Sequence, residues 1–177
     1  MAENPTNKDI FRREERRDFL RAIEDHKDLI FFRLGFYAGL RISEILSLDP
    51  GKDLIFNSGM LPVVHVRAGK GNKDRYVILD EGTAQLIKVY TGPWFETSQE
   101  RTYQRRIKEY CVKAGITRIS PTPHTLRHTH ITMILEKGLS LERAQAQAGH
   151  NDIKYTQIYT HLTYEDRARS LDRILGE

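Results

Sequence analysis

Cysteine occurs only once in the 177 residues, as Cys111. A lone thiol excludes an intrachain disulfide and fits a chain working in a reducing cytoplasm. Long apolar runs are also missing. The longest, LIFFRLGFYAGL at residues 29–40, is interrupted by Arg33 and is too short to span a bilayer, so a buried core helix is expected there. The opening MAENPTNKD lacks the basic-then-apolar order of a secretion signal. No GxxxxGK[ST] phosphate loop occurs: AGKGNKDR, residues 68–75, has the wrong spacing and lies between strand-forming runs. There is no HExxH pair, no internal repeat and no low-complexity linker.

What remains is an ordinary single domain over residues 1–177, since 39% hydrophobic and 29% charged residues are the balance of a soluble globular chain. The net charge of +4 is unevenly spread. Between Ser98 and Arg118 stand Arg101, Arg105, Arg106, Lys108, Lys113 and Arg118 against Glu100 and Glu109, a surplus equal to that of the whole chain. Such clustering suits a polyanion partner, and equally a solvated helix face.

Helical spacing is expected over residues 9–25, 28–40, 42–48 (stopped by Asp49-Pro50), 81–91 and the basic segment, and from Pro123 to Gly138. Shorter helices follow near 140–148, 152–160 and 164–175. Period-two runs at Val63–Val66 and 76–79 flank a Gly- and Lys-rich turn, with a third short strand near 54–56. The fold class is therefore α+β, mainly α-helical, with a small antiparallel three-stranded sheet.

Five of the seven histidines fall between residues 124 and 161. In HTLRH, His124, Arg127 and His128 share i, i+3, i+4 spacing and are expected on one face, apart from Leu126, Met133 and Ile134. A guanidinium and an imidazole side by side can hold one phosphate. Arg41 follows the apolar helix, with Glu44 one turn later either as a surface ion pair or as an orienter of a buried guanidinium. A hairpin-tip lysine can reach a phosphate as a point charge and proton donor. Two Arg, two His and one Lys would make a metal-free cradle for an anionic transition state, to which a tyrosine could deliver a nucleophile. Tyr155 and Tyr159, four residues apart in GHNDIKYTQIYTHL, both remain candidates on these grounds.

GLRISEILSL, AGKGNKDR, HTLRHTH and GHNDIKYTQIYTHL, in that order, strongly resemble the catalytic domain of the tyrosine recombinases, the phage-integrase family, and in particular its Xer-like members. The likeness runs from about residue 9 to 162. It implies the recombinase catalytic-domain fold, with Arg41 and Arg127 as phosphate-binding arginines and Glu44 supporting the first. Lys70 would be the hairpin general acid, and His124 and His150 the active-site histidines, His124 the better base. The family's His-to-Tyr spacing selects Tyr159 as the nucleophile that forms a 3′-phosphotyrosyl bond and releases a 5′-hydroxyl. No ATP, metal or other cofactor is implied.

The same resemblance implies double-stranded DNA as partner and a homotetramer on it through the C-terminal helix bearing Leu171, Ile174 and Leu175. Lys73, Arg75, Arg101 and Arg105 are expected as DNA-backbone contacts, Lys73 and Arg75 otherwise as solvated strand-end charges. His128, His130 and His161 are expected to be structural or superficial. The family's N-terminal DNA-clamping domain is not recognisable here, so the chain is expected to be a fragment or a stand-alone catalytic form. Rival readings are a type IB topoisomerase-like relaxing activity and a non-catalytic DNA-binding remnant.

Overall fold

A computed structural model describes residues 10–56, 61–67, 74–140 and 144. Its elements run α1 (Arg13–Arg21), α2 (His26–Tyr37), α3 (Ile42–Leu46), α4 (Pro50–Asp53), β1 (Leu54–Ile55), β2 (Val63–Val66), β3 (Arg75–Ile78), α5 (Glu81–Val89), a 3-10 turn at Thr97–Gln99, α6 (Glu100–Lys113) and α7 (Pro123–Glu136). The mainly helical class with one small antiparallel sheet, ordered β1-β2-β3, is as the sequence suggests. The short helices expected beyond residue 140 lie outside the described residues.

Helix α2 is the central post. Asp25 caps it by accepting from the Asp28 amide at 2.8 Å, and its apolar residues are buried nearly all round, as befits a helix enclosed by others. Phe31 stacks on Tyr103 of α6 with centroids 3.6 Å apart, and Phe19, Phe32, Phe36 and Phe11 join edge-to-face around it. Arg33, the charge inside the apolar run, is accommodated by Asp80 at the start of α5, 2.6 Å away.

Helix α7 crosses α2 closely because Gly35 has no side chain: a Cβ there would stand 2.7 Å from Leu126 Cδ1. The limits of α7 follow from Pro123 in its first turn and Gly138, at φ +90°, just beyond its end. Two expectations need correction. Helix α1 starts at Arg13, not residue 9. Asp49-Pro50 ends α3 but also opens α4, because Asp49 accepts from the Gly51 amide and proline suits the first helical position.

Gly39 terminates α2 at φ +66°, two residues before Arg41, and a Cβ there would lie 2.5 Å from His130 Cδ2. His130 is fully buried and its Nδ1 lies 3.0 Å from the Phe36 carbonyl, which only accepts, so Nδ1 carries the proton. Burial, only partly opposed by that hydrogen bond, pulls this imidazole down to about 4 and keeps it neutral near pH 7. Gly39→Ala therefore combines left-handed strain of about 1–2 kcal/mol with overpacking of about 1–3 kcal/mol. Urea unfolding should show a loss of about 2–5 kcal/mol, and a loss below about 1 kcal/mol would contradict this packing.

Candidate active site

Arg41 immediately precedes α3, and its backbone and side chain grip the same carboxylate. Its amide donates to Glu44 Oε2 at 2.8 Å and its Nη1 donates to Oε1 at 2.9 Å. Arg75, first residue of β3, approaches from the sheet and donates from Nη1 to Oε1 at 2.9 Å and from Nη2 to Oε2 at 2.8 Å. Glu44 thus accepts four hydrogen bonds, about the capacity of a carboxylate. Burial pushes its pKa up, but Arg75, followed by Arg41, more than reverses this and holds the carboxyl below its usual range.

Arg127 comes to this cluster from α7. Only 2% of it is exposed, and its Nη1 donates to the Gly39 carbonyl at 2.8 Å. Its Nη2 is buried with no hydrogen-bond partner among the described residues. Burial, then the positive fields of Arg41 and Arg75, pulls its pKa down to about 10 against the opposing pull of Glu44, yet it stays charged at neutral pH. Three guanidiniums meet one carboxylate among the described residues, and Arg127 carries an unmet buried donor, the electrostatic signature of an anion site.

His124 stands exposed in the first turn of α7, its ring edge-on to His128 with centroids 4.6 Å apart. Partial burial, then His128, Arg127 and Arg41, lowers its pKa, which favours the neutral imidazole a proton acceptor requires. The same positive field opposes a metal cation between the two rings. Sequence spacing did place His124 and His128 together, but Arg127 is not on their exposed face. It belongs to the buried stripe with His130 and Ile134, at i, i+3 and i+7.

Arg75 departs furthest from expectation. Its side chain is 12% exposed and forked onto Glu44, so it is neither a solvated charge nor placed as an outward backbone contact. Strand alternation carried the signal, since Arg75 shares a face with fully buried Val77 while Tyr76 between them is exposed. On α6, Arg101 and Arg105 face outward, Arg105 paired to Glu109 at 3.1 Å. Arg106 and Arg118 are instead structural: Arg106 pairs with buried Asp28, which also accepts from Tyr110 Oη, and Arg118 forks onto Glu15. Lys70, Lys73, His150 and Tyr159 lie outside the described residues. No helix among the described residues is long and apolar enough to cross a membrane.

The sequence profile of the phage integrase family matches residues 10–166. The chain belongs to the phage integrase family. Family relatives include the tyrosine recombinase XerD of Yersinia pestis, 35% identical over 163 residues that cover 82% of this chain and 52% of that protein. XerD of Staphylococcus saprophyticus is 33% identical, covering 81% and 53% respectively. Among solved structures, XerA recombinase superposes with a TM-score of 0.62 at 26% identity, over 93% of this chain and 64% of the other. XerH bound to its difH substrate gives 0.67 over 90% and 52%, and at 22% identity shows the fold alone. This phage integrase family chain spans about half the length of the curated relatives it matches.

Proposed function

We propose that the chain is the catalytic domain of a site-specific DNA recombinase that cleaves and rejoins one strand through a 3′-phosphotyrosyl intermediate. The observation that carries this reading is the cluster of Arg41, Arg75 and buried Arg127 around Glu44, with Arg127 Nη2 unsatisfied. A phosphodiester carries one negative charge and gains more in the transition state, so clustered guanidiniums with an unmet buried donor favour the transition state over the ground state. In the proposed step the Tyr159 phenol oxygen attacks phosphorus and its proton passes to a base, for which His124 is suited. The P–O5′ bond breaks, its electron pair stays on O5′, and Lys70 protonates it. Religation is the reverse, which conserves the broken bond's energy without ATP. His150 would add a hydrogen bond to the same phosphate.

Double-stranded DNA is the proposed partner, supported by the Tn1549 transposon integrase solved with circular intermediate DNA and by the XerH site-specific recombinase bound to its difH substrate. Assembly as a homotetramer on DNA through the C-terminal segment is part of the same proposal. The test is covalent trapping: the chain, in EDTA, should form an SDS-resistant adduct with a nicked suicide duplex whose arms are randomised. Absence of any adduct would contradict recombinase chemistry.

Exposed Arg101 and Arg105 are proposed as backbone contacts. Arg101→Gln should flatten the plot of log affinity against log salt by about 0.9, one phosphate's worth. Arg105→Gln should do less, because Glu109 already shares its charge. An unchanged slope for Arg101→Gln would remove α6 from the DNA face.

A further inference from the structure

We propose that His130 is a positioning residue for DNA cleavage, which fixes the turn after α2 and so aims the Arg127 guanidinium at the reacting phosphate. This rests on the recombinase reading above.

Helix α7 grips the end of α2 at two points, one helical turn apart on α7. His130 Nδ1 donates to the Phe36 carbonyl at 3.0 Å, and Arg127 Nη1 donates to the Gly39 carbonyl at 2.8 Å. Both side chains are buried. Carbonyls at a helix C-terminus lack an intrahelical partner and must find one elsewhere. Phe36 is such a case, because the Leu40 amide four residues on turns back to the Leu34 carbonyl at 3.3 Å. His130 supplies the missing donor from the neighbouring helix. Its ring also closes over Gly39, so near that a Cβ there would stand 2.5 Å from its Cδ2.

His130 therefore fixes the backbone on which Arg127 rests. A guanidinium is rigid and planar, so the nitrogen committed to Gly39 dictates where the other one points. That other nitrogen, Nη2, is the buried donor without a partner among the described residues. A shift of the Gly39 carbonyl would turn the whole fork. The imidazole itself is not offered to the phosphate, since it is fully buried and its Nδ1–H is committed to Phe36. Its influence on the reaction runs through Arg127.

The test measures adduct formation on the randomised nicked suicide duplex at saturating DNA, with urea unfolding of each variant alongside. His130→Phe keeps a ring against Gly39 without a donor. His130→Asn puts an amide N–H where Nδ1 stood, and His130→Leu nearly matches asparagine in size but donates nothing. His130→Phe and His130→Leu should slow the adduct about 10- to 100-fold, with DNA affinity and salt slope unchanged. His130→Asn should be about 5-fold faster than His130→Leu, the weight of one hydrogen bond.

A double-variant cycle adds a signature that a merely structural role would not give. Once Arg127 is gone its aim no longer matters, so His130→Phe/Arg127→Met should lie within about 2-fold of Arg127→Met. The same His130→Phe penalty in both backgrounds would make His130 structural only and overturn the proposal. Should His130→Phe not fold, the asparagine and leucine variants decide, and equal rates for those two would overturn it. Failure of the parent chain to form any adduct would overturn the recombinase reading and this inference together. An adduct from the parent, matched at parental rate by His130→Phe, would overturn the inference alone.

Discussion

Arg127→Met is expected to slow covalent adduct formation about 100- to 1000-fold, the usual cost of removing one preorganised donor from a charged transition state. DNA binding should change far less, because backbone affinity is spread over many phosphates. Folding stability should also stay near parental. Burial and the fields of Arg41 and Arg75 disfavour this guanidinium's charge in the folded chain, so removing it relieves a cost. Losing the hydrogen bond to the Gly39 carbonyl works in the opposite direction, and the two effects offset. Arg127→Lys should be nearly as slow as Arg127→Met, since a single ammonium cannot hold Gly39 and a phosphate as a planar fork does. A variant with a parental rate and a sharply lowered melting temperature would make Arg127 a structural arginine only.

The combination of a large rate effect with little stability effect follows from where sequence and structure agree and part. Helix α7 was legible because Pro123 and Gly138 mark its ends with chemistry that has few other uses. The VVHV strand and its partner were legible because β-branched runs flank a Gly-rich turn, although the partner spans Arg75–Ile78 rather than 76–79. Asp49-Pro50 was ambiguous in principle: the same pair ends one helix and caps the next.

At the site, residue types and order pointed to Arg41, Glu44, His124 and Arg127, and the structure brings these four into one electrostatic neighbourhood. Motif spacing did not say which cation of GKGNKDR turns inward. That is decided by strand parity, which puts Arg75 on the Val77 face, and by Glu44 arriving from α3 to meet it. Nor did it say that Arg127 joins the buried stripe of His130 and Ile134. A long cation is rarely placed on a core face by pattern alone, because burying it is costly unless partners from other elements are present. Those partners, the Gly39 carbonyl and Glu44, are distant in sequence and therefore invisible to periodicity.

Tyr159→Phe carries the largest expected effect, complete loss of the adduct. Phenylalanine keeps the ring but removes the one oxygen that can bond to phosphorus, so the loss should be of the chemistry alone. A free phenol, with a pKa of about 10, is a poor nucleophile at neutral pH, and the cationic cluster must favour its ionised form during attack. Tyr155, one helical turn away by sequence, is the specific competitor, and Tyr155→Phe should retain the adduct. The decisive measurement is therefore trapping in EDTA on the randomised nicked duplex, followed by peptide mapping of the phosphotyrosine, for the parent, Tyr159→Phe and Tyr155→Phe. The expected result is an adduct mapped to Tyr159 in the parent and in Tyr155→Phe, and none in Tyr159→Phe. An adduct that survives in Tyr159→Phe, or none from the parent, would contradict cleavage by Tyr159 at the Arg41–Arg127 site.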